Sequence, residues 1–270
     1  MTEAERRAAL EAIATEVRSC TRCRLHETRT RAVPGEGHPS TEVVFVGEGP
    51  GQNEDRSGRP FVGRAGDLLV KMLATIGWRR DEVFITNVVK CRPPDNRDPE
   101  PDEVAACAPY LHRQLEILDP ALVVTLGRHS LGRFMPGARI SQVHGSNQPV
   151  DPATGASNAL AYALYHPAAA LRSTEVERQS YEDVLHIPEA LIASRARREA
   201  AVEALPILGE PAEPVPVMAE PAERPAARLV AVATDPVPAP VIAGSSVAAD
   251  VHPAASMTEA PADLDQMTAF

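Results

Sequence analysis

The chain has 270 residues, a net charge of −10 and 26 prolines. It contains no run of 18 apolar residues, which excludes a membrane-spanning helix, and its N-terminus lacks the apolar core of a signal peptide, so we expect a cytoplasmic protein. Residues 201–270 hold ten acidic and two basic residues, a net charge of −8, which leaves −2 for residues 1–200. The overall acidity therefore does not exclude a nucleic-acid partner for residues 1–200.

The composition predicts two regions that meet near residue 200. Residues 1–200 are long enough for one domain with a sizeable core. Residues 201–270 are rich in Ala, Pro, Val and Glu, and show neither the period of a strand nor that of a helix. Because such a sequence has no apolar face to bury, we predict a disordered acidic tail over residues 201–270.

The first predicted element is a helix at the N-terminus. It should begin after Thr2, because Thr2 and Glu5 are spaced for a capping box, and it should end near Cys20. Further along the chain, another helix is predicted to begin at Pro99. Pro109 lies inside that helix and predicts a kink or a restart there.

Four strand-like apolar runs follow the first helix, and helical patterns separate them. The runs cover residues 42–46, 83–89, 121–126 and 160–165, and a last helix is predicted over about 176–200. Strands that alternate with helices indicate an α/β fold with a parallel sheet that is covered on both faces.

Each predicted strand is followed by polar or glycine-containing sequence. The segment Gly47–Asp55 follows the first strand, Asn87 and Lys90 follow the second, residues 127–130 follow the third, and His166 follows the fourth. The carboxyl ends of parallel strands meet at one edge of the sheet, where open α/β folds bind their ligands. The alternative for Gly47–Asp55 is a tight surface loop with solvated acids.

The four cysteines are candidate metal ligands. Cys20 and Cys23 form a CxxC pair, and Cys91 and Cys107 follow the second predicted strand with fifteen residues between them. Thiols in a reducing compartment favour metal binding over disulfides. Four thiolates suit either an iron–sulfur cluster or a structural zinc, and their spacing does not distinguish the two. The alternative is two unrelated pairs of buried free cysteines.

Several ordered motifs together resemble the family 4 uracil-DNA glycosylases, the iron–sulfur branch of that superfamily. They are GEGPGQNED (47–55), GRPFVGRAG (58–66), TNVVKCRPPDNRDP (86–99) and HPAAALR (166–172), together with the four cysteines. The resemblance covers roughly residues 15–192. It implies a three-layer α/β/α sandwich around a central four-stranded parallel sheet. It also implies a [4Fe-4S] cluster on Cys20, Cys23, Cys91 and Cys107.

The resemblance implies a monofunctional glycosylase of base-excision repair. Such an enzyme hydrolyses the N-glycosidic bond of deoxyuridine in DNA, releases uracil and leaves an abasic site. The target nucleotide must leave the base stack, and Phe61 would stack on the extruded base. The Asn87 amide would match uracil N3–H and O4 together. His166 would donate to uracil O2, and Gly49 would let the backbone approach the base.

Two acids and two loop residues complete the implied site. Glu48 would position the attacking water and stabilise the cationic sugar. Glu54 is a second catalytic candidate or a support for its loop. Leu171 would enter the minor groove and Arg172 would contact phosphate. The alternative for Leu171 is a place in the core beside a short helix.

Two other functions are compatible with the sequence. A related branch holds abasic DNA covalently through a histidine, and His144 resembles that residue, although the arginine run of that loop is missing here. The second alternative is a metal-stabilised DNA-binding protein without catalysis. We expect uracil-containing DNA as the partner, no membrane contact and a monomer. Gln266, Met267 and Phe270 loosely resemble a sliding-clamp-binding peptide, and the acidic tail end also resembles tails that recruit repair factors.

Overall fold

A computed structural model describes residues 1–203 of the chain. Residues 204–270 lie outside the described residues, and with them lie most of the predicted tail and the clamp-like peptide at its end. The last described helix extends to Glu203. The domain boundary near residue 200 stays a prediction.

A six-stranded sheet forms the centre of the fold. Its strands are β1 (Glu36–Gly37), β2 (Val43–Gly47), β3 (Phe84–Asn87), β4 (Leu122–Leu126), β5 (Asn147–Pro149) and β6 (Leu160–Leu164). Their order across the sheet is β1–β3–β2–β4–β6–β5. The four central strands are parallel and confirm the four predicted ones. The edge strands β1 and β5 are antiparallel and were not predicted, because two or three residues are too few to show a strand period.

Helices connect and flank the strands. In the part of the chain that the structure describes they are α1 (Glu3–Arg18), α2 (Leu25–Thr28), α3 (Gln52–Ser57), α4 (Arg64–Thr75), α5 (Pro101–Leu118), α6 (Arg128–Phe134), α7 (Ile140–Val143), α8 (Pro167–Ala170), α9 (Thr174–Val184) and α10 (Ile187–Glu203). None of these helices is both long enough and apolar enough to cross a membrane.

Two apolar clusters, one on each face of the sheet, make the fold three-layered. Val44 and Val46 of β2 belong to the cluster that contains Leu115 of α5. Phe45, which points the other way, belongs to the cluster that contains Leu69 of α4. This alternation follows from the two-residue period of a strand. The three-layer α/β/α sandwich predicted from the sequence is confirmed.

Three helix predictions need correction. The second long helix begins at Pro101 with Glu100 as its cap, instead of at Pro99, and it runs through Pro109 without a restart. The lost backbone hydrogen bond at Pro109 is offset because the neighbouring turns of α5 are buried. The helix predicted over 176–200 is divided into α9 and α10. Pro188 explains the division, since a proline has no N–H to continue a preceding helix.

The carboxyl ends of the parallel strands meet at one edge of the sheet. Gly47 of β2 pairs with Asn87 of β3, and Leu126 of β4 pairs with Leu164 of β6. The loops that leave these four positions therefore start side by side. His166 follows Leu164 by two residues and lies at the same edge.

Candidate active site

A pocket of about 680 Å³ opens at this edge of the sheet. Its lining includes seven of the residues that the sequence predicted for the site: Glu48, Gly49, Glu54, Phe61, Asn87, His166 and Arg172. They come from the loops after β2 and β6, the last residue of β3, the short helix α3 and the turn before α4. The fold therefore brings together side chains that are far apart in the chain.

Asn87 presents an unpaired hydrogen-bond acceptor in this pocket. The residue is 2% exposed, and its Oδ1 is the one buried side-chain polar atom within residues 1–203 that has no hydrogen-bond partner. Gly47 lies beside it, and a Cβ at Gly47 would be 2.4 Å from Asn87 Oδ1 and 2.7 Å from Phe61 Cζ. Only glycine fits there. An unpaired buried acceptor costs ~1–3 kcal/mol, and a ligand that donates a hydrogen bond would remove that cost.

Phe61 is held in a strained backbone conformation. Its φ is 48°, in the left-handed region that a bulky side chain rarely adopts. Its carbonyl oxygen accepts a hydrogen bond of 2.8 Å from Arg80 Nη1. A Cβ at Gly66 would lie 1.9 Å from the same oxygen, so the first turn of α4 packs directly against it. These contacts hold the Phe61 backbone in its strained conformation and so fix the position of its ring in the pocket.

Glu54 supports the Phe61 turn from the other side. Its Oε1 accepts hydrogen bonds from the backbone N–H groups of Val62, at 2.9 Å, and Gly63, at 3.0 Å. These N–H groups precede α4, so the carboxylate also lies at the positive end of that helix. Of the two roles predicted for Glu54, these contacts favour loop support.

Sequence reasoning missed Arg80 and Glu36. Arg80 donates to the carbonyl oxygens of Pro60 and Phe61 and bonds Glu36 Oε1 at 2.9 Å. Burial would raise the pKa of Glu36, but hydrogen bonds from Arg59 and Arg80 bring it below its usual value. Glu36 therefore stays ionised and fixes Arg80. No sequence signal could have found this pair, because it depends on the two-residue strand β1.

His166 is a neutral hydrogen-bond donor. Its Nδ1 accepts a bond of 3.1 Å from the backbone N–H of Ala168. A backbone N–H can only donate, so the proton of the neutral ring lies on Nε2. Burial, assisted by the Arg172 guanidinium, lowers the pKa of His166 to about 4. At pH 7 the ring is neutral, and its centroid lies 5.7 Å from that of Phe61.

Glu48 lies in a charged group at the pocket edge. Its Oε2 is 3.7 Å from His129 Nε2, and that nitrogen is 3.2 Å from Asp98 Oδ1. Arg128 pairs with Asp98 and donates to His129 Nε2 at 3.0 Å. Burial raises the pKa of Glu48, with a smaller contribution from Asp98, while His129 and Arg128 oppose the shift. The sequence placed residues 127–130 at this edge without giving Arg128 or His129 a role, and it gave none to Asp98 in the site.

The four cysteines line a second cavity, between α1, α5 and the segment after β3. The four thiols do not form a close group. Within residues 1–203, the possible metal ligands that do, with ligand atoms all within 4.8 Å of one another, are Glu48, Asp98 and His129. Four cysteine thiols around one cavity are a donor set for either an iron–sulfur cluster or a structural zinc.

The surroundings of the thiols suit a thiolate-bound centre. Arg29 Nη1 donates to Cys91 Sγ at 2.9 Å, and the backbone N–H of Lys90 donates to Cys107 Sγ at 3.2 Å. Burial raises the pKa of Cys107 to about 11, so its thiolate needs a metal to compensate the cost of burial. The donor set and its hydrogen bonds therefore fit an iron–sulfur cluster.

Two further predicted residues, Leu171 and His144, lie outside the pocket lining. Arg172 lines the pocket, whereas Leu171 does not and is 37% exposed, so it is outside the core. His144 is not among the lining residues. Its Nδ1 is 2.8 Å from Asp183 Oδ2, and its ring stacks at 4.7 Å on Tyr165, which does line the pocket.

We expect the ring nitrogens of His166 to show the neutral Nε2–H tautomer at pH 7 and to gain a second proton only near pH 4. Because the unfolded chain takes up that proton at about 6.5, His166 lowers the free energy of unfolding as the pH falls from 6.5 towards 4. ¹H–¹⁵N spectra between pH 8 and 4, assigned with His166→Gln, measure the midpoint. A midpoint near 6.5 would contradict this description.

Replacing Arg80 with Met should destabilise the Phe61 turn. The change leaves two buried carbonyl oxygens unpaired, so we expect the free energy of unfolding to fall by about 1–3 kcal/mol. Urea denaturation measures it. Arg79→Met is the matched control, because Arg79 is exposed and pairs with Asp81 at the surface. Equal stability of the two variants would rule out the support assigned to Arg80.

Comparisons with known proteins identify the family of this chain. Residues 34–186 fit the family model of the Uracil DNA glycosylase superfamily. The chain is 48% identical over 192 residues to the Type-4 uracil-DNA glycosylase of Sulfurisphaera tokodaii, which covers 69% of this chain and 86% of that protein. It is 46% identical over 177 residues to the Type-4 uracil-DNA glycosylase of Thermotoga maritima, covering 65% of this chain and 91% of that one.

A weaker similarity extends to another branch. The Type-5 uracil-DNA glycosylase of Thermus thermophilus is 34% identical over 140 residues, which covers 44% of this chain and 64% of that protein. The type-4 relatives are more similar and are matched over most of their own length. This chain therefore belongs to the type-4 branch of the uracil-DNA glycosylase superfamily.

Proposed function

We propose that this chain hydrolyses the N-glycosidic bond of deoxyuridine in DNA, releases uracil and leaves an abasic site for base-excision repair. The unpaired Oδ1 of Asn87 is the observation that carries the proposal. Uracil N3–H donates to Oδ1 while uracil O4 accepts from Nδ2 of the same amide. Cytosine presents an acceptor at N3 and an amino group at C4. Its N3 then faces Asn87 Oδ1 and its amino group faces Nδ2, so neither hydrogen bond forms and Oδ1 stays unpaired.

The pocket is suited to a base that has left the double helix. Asn87 is 2% exposed, at a depth that a base stacked in a duplex does not reach, so the nucleotide must rotate out. Phe61 provides an aromatic face for the extruded ring. Its strained turn, held by Arg80 and Glu54, keeps that face in place before the substrate arrives, so the cost of ordering it is met by folding.

His166 stabilises the leaving group. Cleavage of the glycosidic bond leaves negative charge on the uracil ring, and Nε2–H donates to O2 where that charge develops. The donor is neutral because burial and Arg172 keep the imidazole from taking up a second proton. The Ala168 N–H fixes the orientation of the ring, since it holds Nδ1.

Glu48 acts on the sugar side of the bond. As a carboxylate it orients the attacking water and stabilises the positive charge that forms on the sugar. Burial works against this ionised form, and His129 and Arg128 support it. Glu54 has its Oε1 committed to two backbone N–H groups, which supports the assignment of Glu54 as a positioning residue.

We infer that Cys20, Cys23, Cys91 and Cys107 hold a [4Fe-4S] cluster. When bound, the cluster joins the segment after α1 to the segment after β3 and to α5, which gives it a folding role. Arg29 and the Lys90 N–H donate to the sulfurs and stabilise their negative charge.

Arg172 and Leu171 lie where the DNA backbone would pass. The Arg172 guanidinium at the pocket mouth suits a phosphate oxygen next to the extruded nucleotide. The exposed Leu171 side chain is available to fill the gap that the base leaves in the duplex.

The function is tested by incubating the purified protein with oligonucleotides that carry one uracil, thymine or cytosine, followed by alkali and a sizing gel. We expect a break at uracil alone, with free uracil in solution. Binding without release of uracil would favour the non-catalytic DNA-binding alternative. A protein–DNA adduct that survives denaturation and disappears in His144→Ala would favour the trapping alternative.

Glu48→Ala should lower the single-turnover cleavage rate by about 100-fold or more, because a positioned carboxylate contributes 10²–10⁴-fold. DNA affinity should change little, since Glu48 is not a phosphate-binding group. Glu189→Ala, a change at an exposed position on α10, serves as the control. A normal single-turnover rate in Glu48→Ala would remove Glu48 from the mechanism.

A further inference from the structure

Lys90 is a buried cation that the proposed reaction does not use. Its exposed fraction is 1%, and its ammonium nitrogen donates to Thr86 Oγ1 at 2.6 Å, to the Asn87 carbonyl oxygen at 2.9 Å and to Gln114 Oε1 at 2.7 Å. The three hydrogens of the ammonium group are thus all paired. All three acceptors are neutral, so hydrogen bonding is complete while the charge has no carboxylate partner among them.

An isolated buried charge is costly unless an opposite charge lies near it. Lys90 lines the same cavity as the four cysteines. Its backbone N–H donates to Cys107 Sγ at 3.2 Å, and Cys91 is the next residue in the chain. Four thiolates around an iron–sulfur core carry a net negative charge. The cluster in the cysteine cavity would therefore supply the negative charge that the three neutral acceptors do not give to the Lys90 ammonium group.

We propose that the Lys90 ammonium group is the counter-charge of the metal centre and couples that centre to the end of β3 that carries Asn87. This inference rests on the [4Fe-4S] cluster proposed above. Lys90 acts through other groups and is a positioning residue. Lys90 belongs to the segment from Asn87 to Cys91, which has one end in the uracil pocket and the other at the cluster.

The hydrogen bonds of this segment carry the coupling. Lys90 Nζ holds the Asn87 carbonyl oxygen. The N–H groups of Val88 and Val89 donate to the carbonyl oxygens of Gly47 and Glu48, both at 3.0 Å, and continue the pairing of β2 with β3 beyond the sheet. A displacement of the cluster-binding residues would therefore reach the uracil-recognising amide and the Glu48 loop together.

Gln114 keeps the ammonium group in place. Its Nε2 donates to the Pro34 carbonyl oxygen at 2.8 Å, and Thr86 Oγ1 donates to the same oxygen at 3.0 Å. Both Gln114→Glu and Gln114→Leu lose the Nε2 donor to Pro34. Gln114→Glu also places a carboxylate against Lys90, whereas Gln114→Leu removes the Lys90 hydrogen bond and adds no charge, so the difference between the two variants reports the effect of the charge.

The test compares the reduction potential of the cluster in iron-replete protein. Lys90→Met and Gln114→Glu should both lower the potential, because each removes or neutralises the positive charge that stabilises the reduced cluster. Gln114→Leu should leave it unchanged. Lys71→Met is the control, since Lys71 is exposed on α4 and is the other lysine of the chain. If Lys90→Met does not fold, Gln114→Glu and Gln114→Leu still decide the question.

The coupling is measured as the single-turnover rate of uracil excision by the same iron-replete proteins. Lys90→Met should be roughly tenfold slower, because it loses one buried hydrogen bond at Asn87. Lys71→Met should keep the rate of the wild-type protein. An unchanged potential in Lys90→Met and Gln114→Glu would overturn the counter-charge, and an unchanged rate in Lys90→Met would overturn the coupling. Purified protein without iron would instead overturn the cluster itself, independently of Lys90.

Discussion

The site depends on the backbone pairing of β2 with β3. Gly47 pairs with Asn87 at the end of both strands, and the pairing continues when Val89 donates to the Glu48 carbonyl oxygen. This register places Asn87, which we propose recognises the base, next to Glu48, which we propose acts on the sugar. Gly47 has no side chain, so Asn87 and Phe61 can both approach its backbone. One glycine and one strand register therefore set the shape of the pocket.

The pocket separates two opposite electrostatic tasks. In the proposed reaction the leaving uracil becomes negative and meets a neutral donor, because burial keeps His166 from taking up a second proton. The sugar becomes positive and meets Glu48, whose ionised form is opposed by burial and supported by His129 and Arg128. Each group lies after a different strand, so its surroundings can be tuned without moving the other.

The sequence predicted the parallel strands and the residues directly after them, because a buried strand leaves an apolar run and its end leaves a polar or glycine-rich one. The positions of Asn87 and His166 at the sheet edge were accessible in this way, whereas their roles came from the resemblance to the family. The Arg80–Glu36 pair was not, since it depends on a two-residue edge strand with no pattern of its own. The positive φ of Phe61 was also hidden, because tertiary contacts impose it against local preference.

The central claim is that the unpaired acceptor of Asn87 is the group that recognises the base. A crystal structure of the protein with free uracil tests it most directly. The account predicts uracil N3 within about 2.7–3.2 Å of Asn87 Oδ1, with the ring against Phe61 and O2 facing His166 Nε2. A uracil ring bound in the pocket with N3 turned away, and Asn87 Oδ1 still unpaired, would contradict it.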